Sequence, residues 1–234
     1  MAGGFGTRLR PLTMHLPKPM VPLLNKPMME HIVRLLKAHD FRDMISLLFF
    51  HPEAISSYFE DGSKFGITIN YVRAEADYGT AGSVRNAIEQ YNIKERIIII
   101  SGDVLTDFDL TDAIAYHEEK KAKATIILTR VKNPLQFGVV ITNDDGKVER
   151  FLEKPSWGEV FSDTINTGIY ILEPEVFELI PYKRDFDFSK DLFPMLLEQD
   201  AGLYGYIAPG YWRDIGNLGE YHEAHLDALG RCSS

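Results

Sequence analysis

The chain has 234 residues, of which 45% are hydrophobic and 25% charged, proportions that suit an ordinary globular α/β domain, or two small ones. A formal net charge of −9 argues against a nucleic-acid partner. No apolar run reaches the ~18 residues of a membrane span, the start lacks a signal-peptide pattern, and Cys232 alone permits no internal disulfide, so a cytoplasmic protein is expected.

The first stretch is Gly3-Gly4-Phe5-Gly6-Thr7-Arg8-Leu9-Arg10-Pro11-Leu12, followed by Pro17-Lys18-Pro19. Glycines so closely spaced leave the backbone free to take positive φ and to turn its N–H groups toward an anion. Arg8, Arg10 and Lys18 add fixed positive charge, arginine for bidentate phosphate contact and lysine as a point charge. In so acidic a protein, that charge must be concentrated locally or helped by a bound cation. Two familiar glycine loops are excluded. Leu9 stands where the dinucleotide fingerprint needs its third glycine, and no P-loop string occurs.

Met28, Met29, Ile32, Val33, Leu35 and Leu36 repeat at helical spacing after Pro27. Met44 to Phe50 reads as a strand, Pro52 to Asp61 as a helix, Ile67 to Val72 as a strand and Ala81 to Tyr91 as a helix. Four isoleucines, Ile97 to Ile100, mark a strand buried on both faces. Thr111 to Lys121 reads as a helix with Asp109 before it as a cap, and Thr125 to Thr129 as a strand. This alternation predicts right-handed crossovers and parallel pairing. From Phe137 the pattern changes. Val139 to Thr142 and Val148 to Leu152 form a hairpin around Asn143-Asp144-Asp145-Gly146. Ile165 to Leu172 is a strand, Pro174 to Ile180 and Phe188 to Glu198 are helices, Tyr204 to Ala208 is a strand and Leu218 to Leu229 a helix. No repeat or linker interrupts the chain, so one domain over 1–234 is expected, with halves at about 1–130 and 131–234 on one sheet.

Asp103, in Ser101-Gly102-Asp103, follows the four isoleucines, which puts it at a strand's carboxyl end, where open α/β sheets bind ligands. It reads as a metal ligand or as a turn residue; Asp214, in Trp212-Arg213-Asp214-Ile215-Gly216, reads as a metal ligand or as a cap of the last helix. Glu153-Lys154-Pro155 closes the hairpin. Glu75 precedes Gly79-Thr80-Ala81-Gly82 and is either a base-reading carboxylate or an exposed loop charge. The seven histidines form no zinc-binding spacing, and no G-x-S-x-G elbow occurs.

Together, G-G-x-G-T-R-L-x-P-L-T, P-K-P-M-V-P, Gly79-Thr80-Ala81-Gly82, Ser101-Gly102-Asp103, Phe151-Leu152-Glu153-Lys154-Pro155, Asn166-Thr167-Gly168-Ile169-Tyr170 and Gly210-Tyr211-Trp212-Arg213-Asp214-Ile215-Gly216 resemble, in order, the sugar-1-phosphate nucleotidylyltransferases. The resemblance implies a three-layer α/β/α Rossmann-like nucleotide-diphospho-sugar transferase fold with a mixed, mostly parallel sheet. It implies NTP and sugar-1-phosphate as substrates, with Mg²⁺ on Asp103 and Asp214. By resemblance Arg8 and Lys18 are catalytic, and Ala2, Gly3, Gly4, Gly6, Thr7, Glu75, Gly79 and Thr80 line the nucleotide. Gly138, Glu153, Lys154, Asn166, Thr167 and Trp212 line the sugar phosphate. Asp103-Val104-Leu105-Thr106-Asp107-Phe108-Asp109-Leu110 most resembles the mannose-1-phosphate guanylyltransferase branch. The alternatives are a glucose-1-phosphate uridylyl-, thymidylyl- or adenylyltransferase, or a non-catalytic nucleotide-sugar-binding subunit. The presence of Arg8, Lys18, Asp103 and Asp214 argues against the last. In such relatives an apolar strand ends at the residues matching Met1-Ala2, so the numbered chain is expected to begin inside that strand. The hexapeptide-repeat or mutase domain of many relatives is not found within it, and self-association is left open.

Overall fold

Apolar runs and amphipathic helices alternate along the chain much as the periodicity predicts. In the computed structural model, which describes residues 6–73, 75–153, 156 and 162–232, the first half runs β1 (Pro22–Leu23), β2 (Lys26–Pro27), α1 (Met28–Ala38), β3 (Asp43–Leu48), α2 (Pro52–Phe59), β4 (Thr68–Arg73), α3 (Gly79–Tyr91), β5 (Ile97–Ile100), β6 (Val104–Thr106) and α4 (Leu110–Glu119). It continues through β7 (Ala124–Arg130), β8 (Gly138–Thr142), β9 (Val148–Glu153), β10 (Thr164–Leu172), α5 (Pro174–Phe177), a π-helical turn at Phe188–Leu192, α6 (Phe193–Glu198), β11 (Leu203–Ile207), β12 (Trp212–Asp214) and α7 (Leu218–Cys232). The chain gathers into two compact units, one of Met1–Glu75, Ile100–Phe108 and Gly210–Ser234, the other of Ala76–Ile99 and Asp109–Pro209. Each draws on separated stretches of sequence, in place of a division near residue 130.

In the first unit, β1 and β2 pair across Leu24 and Asn25, whose φ values of 48° and 63° suit a tight hairpin turn. Helix α1 starts directly after Pro27 and buries Met28, Met29, Ile32, Val33 and Leu36 along one face. Strands β3 and β4 are parallel, joined through α2, whose Ile55 and Phe59 pack with Leu48, Val33, Ile67 and Ile69. Burying one such side chain is worth about 1.5–3 kcal/mol, so this cluster anchors the unit. Strands β6 and β12 form a short antiparallel pair with Asp214 opposite Val104. A second apolar cluster, Leu9, Leu23, Met28, Ile215 and Ala224, ties the start of the chain to α7.

The second unit holds a sheet in the order β11-β7-β10-β8-β9, with β5 also against β10. Strand β10 is its centre, and β7, between β11 and β10, is buried from Ala124 to Thr129. The sheet is mixed. Of its registered pairs, β11–β7 is parallel while β10–β7, β10–β8 and β8–β9 are antiparallel. The parallel share is smaller than the strand–helix alternation suggests, because β8 and β9 turn back as a hairpin and β10 returns along β7. The predicted hairpin loop is present: Asn143 Oδ1 accepts from the N–H groups of Asp145 and Lys147, and Gly146 takes φ 84°. Asp109 caps α4 by accepting from the N–H groups of Thr111 and Asp112, a contact worth about 1 kcal/mol.

Three helices depart from the sequence expectation. Helix α5 ends at Phe177, short of Ile180. The segment from Phe188 begins as a π-helical turn, so that Phe188 and Phe193 both pack on Tyr170, at ring separations of 4.9 and 5.0 Å. Helix α3 begins two residues early, at Gly79, because the Phe186 carbonyl accepts from the N–H groups of Ala81 and Gly82.

Candidate active site

The first unit brings together four side chains that lie far apart in sequence. Gly6 sits at φ 60°, and a Cβ there would come within 3.0 Å of Thr13 Cγ2 and 3.1 Å of Lys18 Cβ. Glycine is therefore favoured both by backbone hand and by space. Thr13 Oγ1, on a buried side chain, donates to the Gly6 carbonyl at 2.7 Å and closes the loop. Thr7 opens a 3-10 turn that buries Leu9 and leaves Thr7 and Arg8 exposed. The Arg8 guanidinium lies beside Gly216.

Pro17 and Pro19 flank Lys18 in a second 3-10 turn, and its ammonium points inward. Lys18 Nζ lies 2.6 Å from Asp103 Oδ2 and 3.7 Å from Asp214 Oδ1. Asp103 stands between β5 and β6, and its carbonyl accepts from the Ile215 N–H at 3.0 Å. Asp214 is the last residue of β12. The β6–β12 register thus joins residues separated by over a hundred positions. Burial, and then the negative charge of Asp103, push the Asp214 carboxyl above its usual range, opposed by Lys18 and Arg8.

Two hard carboxylate donors that face a single cation are what Mg²⁺ takes from a protein, the remaining positions going to water and phosphate. No group of three or more His, Cys, Asp or Glu side chains suited to a metal occurs among the described residues, while Asp103 and Asp214 bring two carboxylates to one point. The residues present fit a magnesium ion.

Neighbouring contacts fix the pair. Asp107 Oδ1 accepts from the Tyr211 N–H at 2.6 Å, and Thr106 Oγ1 donates to the Tyr211 carbonyl at 2.7 Å, so both sides of Tyr211 are clamped to the end of β6. Strand alternation then places Trp212 and Asp214 on one face and Arg213 on the other. Arg213 is held by Tyr211 Oη, Glu220 and Asp227, which binds β12 to α7. In the sequence Thr106, Asp107, Tyr211 and Arg213 stand only as members of motif strings, since only the strand pairing reveals their contacts.

The second unit carries the residues expected at the sugar and part of those expected at the nucleotide. Gly79 has φ 66°, and a Cβ on it would lie 2.6 Å from both Asp185 Oδ1 and the Phe186 carbonyl oxygen. Thr80 Oγ1 donates to Asp187 Oδ2 at 2.8 Å and accepts from the Phe188 N–H at 3.0 Å. The Gly79–Gly82 turn is thus latched to the segment around Asp187, which also caps the following π-helical turn. A helix from Phe188 is expected from the sequence but its Asp187 cap goes unread, although Asp187-Phe188-Ser189-Lys190 has the form of one. Glu75, in the first unit, is exposed.

Gly138 pairs with Glu153 across β8–β9; a Cβ on Gly138 would lie 2.9 Å from the Phe151 ring and 3.1 Å from Glu153 Oε2. Glu153 is exposed. Asn166 Nδ2 donates to Tyr170 Oη at 3.0 Å, and its Oδ1 accepts from the Gly168 N–H at 2.9 Å. Thr167 is buried, and its hydroxyl donates to the Ile127 carbonyl at 2.6 Å, so it secures the β10 bulge from inside. Ala2, Gly3, Gly4 and Lys154 lie outside the described residues.

The family model described as nucleotidyl transferase matches residues 1–231. A UTP–glucose-1-phosphate uridylyltransferase from Synechocystis sp. is 40% identical over 244 residues, covering 99% of this chain and 63% of its own length. A mannose-1-phosphate guanylyltransferase from Mycobacterium tuberculosis is 35% identical over 230 residues, covering 98% of this chain and again 63% of its own length. The chain therefore spans under two thirds of these relatives. A Bacillus anthracis protein, assigned as a glucose-1-phosphate thymidylyltransferase and solved with a sucrose, superposes with a TM-score of 0.86 at 27% identity, over 97% of this chain and 92% of its own. With a family model matched along nearly its whole length and a fold shared with that structure, the chain belongs to the nucleotidyl transferase family.

Proposed function

We propose that this chain transfers a nucleotidyl group from an NTP to a hexose-1-phosphate and releases pyrophosphate. The observation that carries the reading is the convergence of Lys18, Asp103 and Asp214, one buried ammonium facing two carboxylates beside a glycine loop that presents Arg8. A sugar-phosphate oxygen attacks the α-phosphorus in line; the new P–O bond forms as the bond to the bridging oxygen breaks, and pyrophosphate carries away the electron pair. No covalent enzyme intermediate is needed, because positioning and charge neutralisation suffice. Arg8 holds the departing pyrophosphate, and Lys18 stabilises charge at the α-phosphate. Asp103 and Asp214 would hold Mg²⁺, which when bound neutralises phosphate oxygens. Glu153, Lys154 and Asn166 are assigned to the sugar phosphate, and Trp212 shares the face of Asp214.

For the substrates, we favour GTP and mannose-1-phosphate, on the Asp103–Leu110 sequence and the similarity to the mycobacterial guanylyltransferase. Glu75 is assigned to the guanine Watson–Crick edge. UTP with glucose-1-phosphate is the second reading, because the Synechocystis uridylyltransferase is similar at 40% identity.

The test is a panel of five NTPs against mannose- and glucose-1-phosphate, scored by pyrophosphate release. One pair should stand clear of the rest, with GTP and mannose-1-phosphate expected. Asp103→Asn and Asp214→Asn should each lower kcat by roughly 10²–10³-fold while the protein stays folded, by analogy with loss of one preorganised charge. Folded protein that releases pyrophosphate from none of the ten pairs would refute the reading, and near-normal rates in either variant would refute the two-carboxylate site.

A further inference from the structure

We propose that the Lys18 ammonium and a divalent cation are rival partners of the same two carboxylates, so that cation binding at Asp103 and Asp214 releases Lys18 for the nucleotide's phosphates. The proposal rests on the reading that this pair holds the cation, and adds an order of events to it. Three observations carry it. Lys18 Nζ meets both carboxylates, at 2.6 and 3.7 Å, so the ammonium already occupies the point of shared negative charge. The carboxylates keep 36% and 31% of their side-chain exposure while Lys18 keeps 10%, so a cation arriving from solvent reaches the same oxygens from the open side. The lysine backbone is pinned between Pro17 and Pro19 with its carbonyl accepting from the Val21 N–H, which leaves the butyl stem as the part able to swing.

Two like charges brought to one pair of carboxylates repel, and in a partly buried site that repulsion is not screened away. Coupling of this kind is reciprocal: the factor by which Lys18 weakens cation binding is the factor by which the cation loosens the Lys18 ion pair. A buried ammonium deprived of its carboxylates needs another anion, and a bound nucleotide supplies one. Cation and nucleotide therefore bind with positive cooperativity that passes through Lys18. In the metal-free protein the same lysine keeps two close carboxylates together.

The experiment measures Mn²⁺ binding to the whole chain without nucleotide, by loss of the free Mn²⁺ electron-spin-resonance signal. Lys18→Met should bind Mn²⁺ roughly tenfold more tightly than wild type or better, and Mn²⁺ should raise its melting temperature by more than it raises the wild type's. Should that variant misfold, Lys18→Gln, which keeps a donor without the charge, is expected to shift affinity the same way. Equal or weaker Mn²⁺ binding in the folded lysine variant, with wild type still binding, would overturn the rivalry and leave the two-carboxylate site standing. Saturable binding that is absent from every protein, or unchanged in Asp103→Asn and Asp214→Asn, would remove the site itself and the rivalry with it.

Discussion

Gly82 looks replaceable from sequence, because it lies inside α3 and alanine is the better helix former by about 1 kcal/mol. The structure reverses the sign. A Cβ on Gly82 would lie 2.3 Å from the Arg184 carbonyl oxygen, where ordinary contact begins at 3.4 Å. The obstacle is backbone, so the Arg184–Phe186 segment must retreat by roughly 1 Å. That movement strains the bonds from the N–H groups of Ala81 and Gly82 to the Phe186 carbonyl, 2.9 and 3.0 Å long, each worth about 0.5–1.5 kcal/mol. Overpacking adds about 1–3 kcal/mol and the helix preference returns about 1, so Gly82→Ala should destabilise by about 2 kcal/mol. For a chain of this size, that is a fall in Tm of roughly 4–8 °C. Thermal unfolding followed by circular dichroism measures it, with Gly230→Ala in α7 as the control. A Cβ on Gly230 would meet nothing within 4 Å, so that variant should melt at or above the wild-type temperature. A Gly82→Ala protein that melts no lower than wild type would refute the argument from close approach.

Two further outcomes concern buried titratable groups. Glu30 is 3% exposed, and burial works to raise its pKa, yet hydrogen bonds from Tyr58 and Arg34 outweigh that and hold it below 4.5. Its stabilising contribution is present above pH 4.5 and lost as pH falls through the lower folded value. Tyr58→Phe leaves Glu30 Oε2 without its 2.6 Å donor and should destabilise by about 1–3 kcal/mol at neutral pH, with a smaller additional loss in acid; an unchanged Tm would contradict this. Burial depresses the pKa of His117, whose ring meets Thr125 Oγ1 and Glu173, with Arg96 and Glu118 close by. The unfolded chain then takes a proton that the folded ring refuses, so stability should fall as pH drops below 6.5. His117→Gln should flatten urea-unfolding free energy between pH 5 and 6.5 even if its absolute stability is lower; an undiminished slope would assign the pH dependence elsewhere.

Long elements were legible because periodicity reports burial directly. The isoleucines of β5, the amphipathic face of α1 and the hairpin around Asn143–Gly146 all stand where the pattern puts them. The short strands β6 and β12 were not, since three residues carry no period and their pairing is set by Tyr211 held against Thr106 and Asp107. Motif reading already joins Asp103 and Asp214 as one expected metal pair with Lys18 catalytic beside it, but only the fold shows Lys18 Nζ against both carboxylates. Motif reading could not show that the Thr167 hydroxyl is used inside the sheet, or that Gly79 and Gly82 are small because Asp185, Phe186 and Arg184 crowd them. Those facts belong to contacts between distant segments, and local sequence does not encode them.

The β6–β12 pair also sets a timetable for biosynthesis. A ribosome delivers Lys18 and Asp103 early and Asp214 late, and β6 receives its antiparallel partner only when Trp212–Asp214 has left the tunnel. Until then the lysine has one carboxylate to face instead of two. A nascent chain, or one cleaved ahead of β12, carries the glycine loop and Lys18 yet lacks half of the acidic pair. Such a chain would lack the second carboxylate that Lys18 faces at 3.7 Å, and with it the geometry on which the proposed transfer rests.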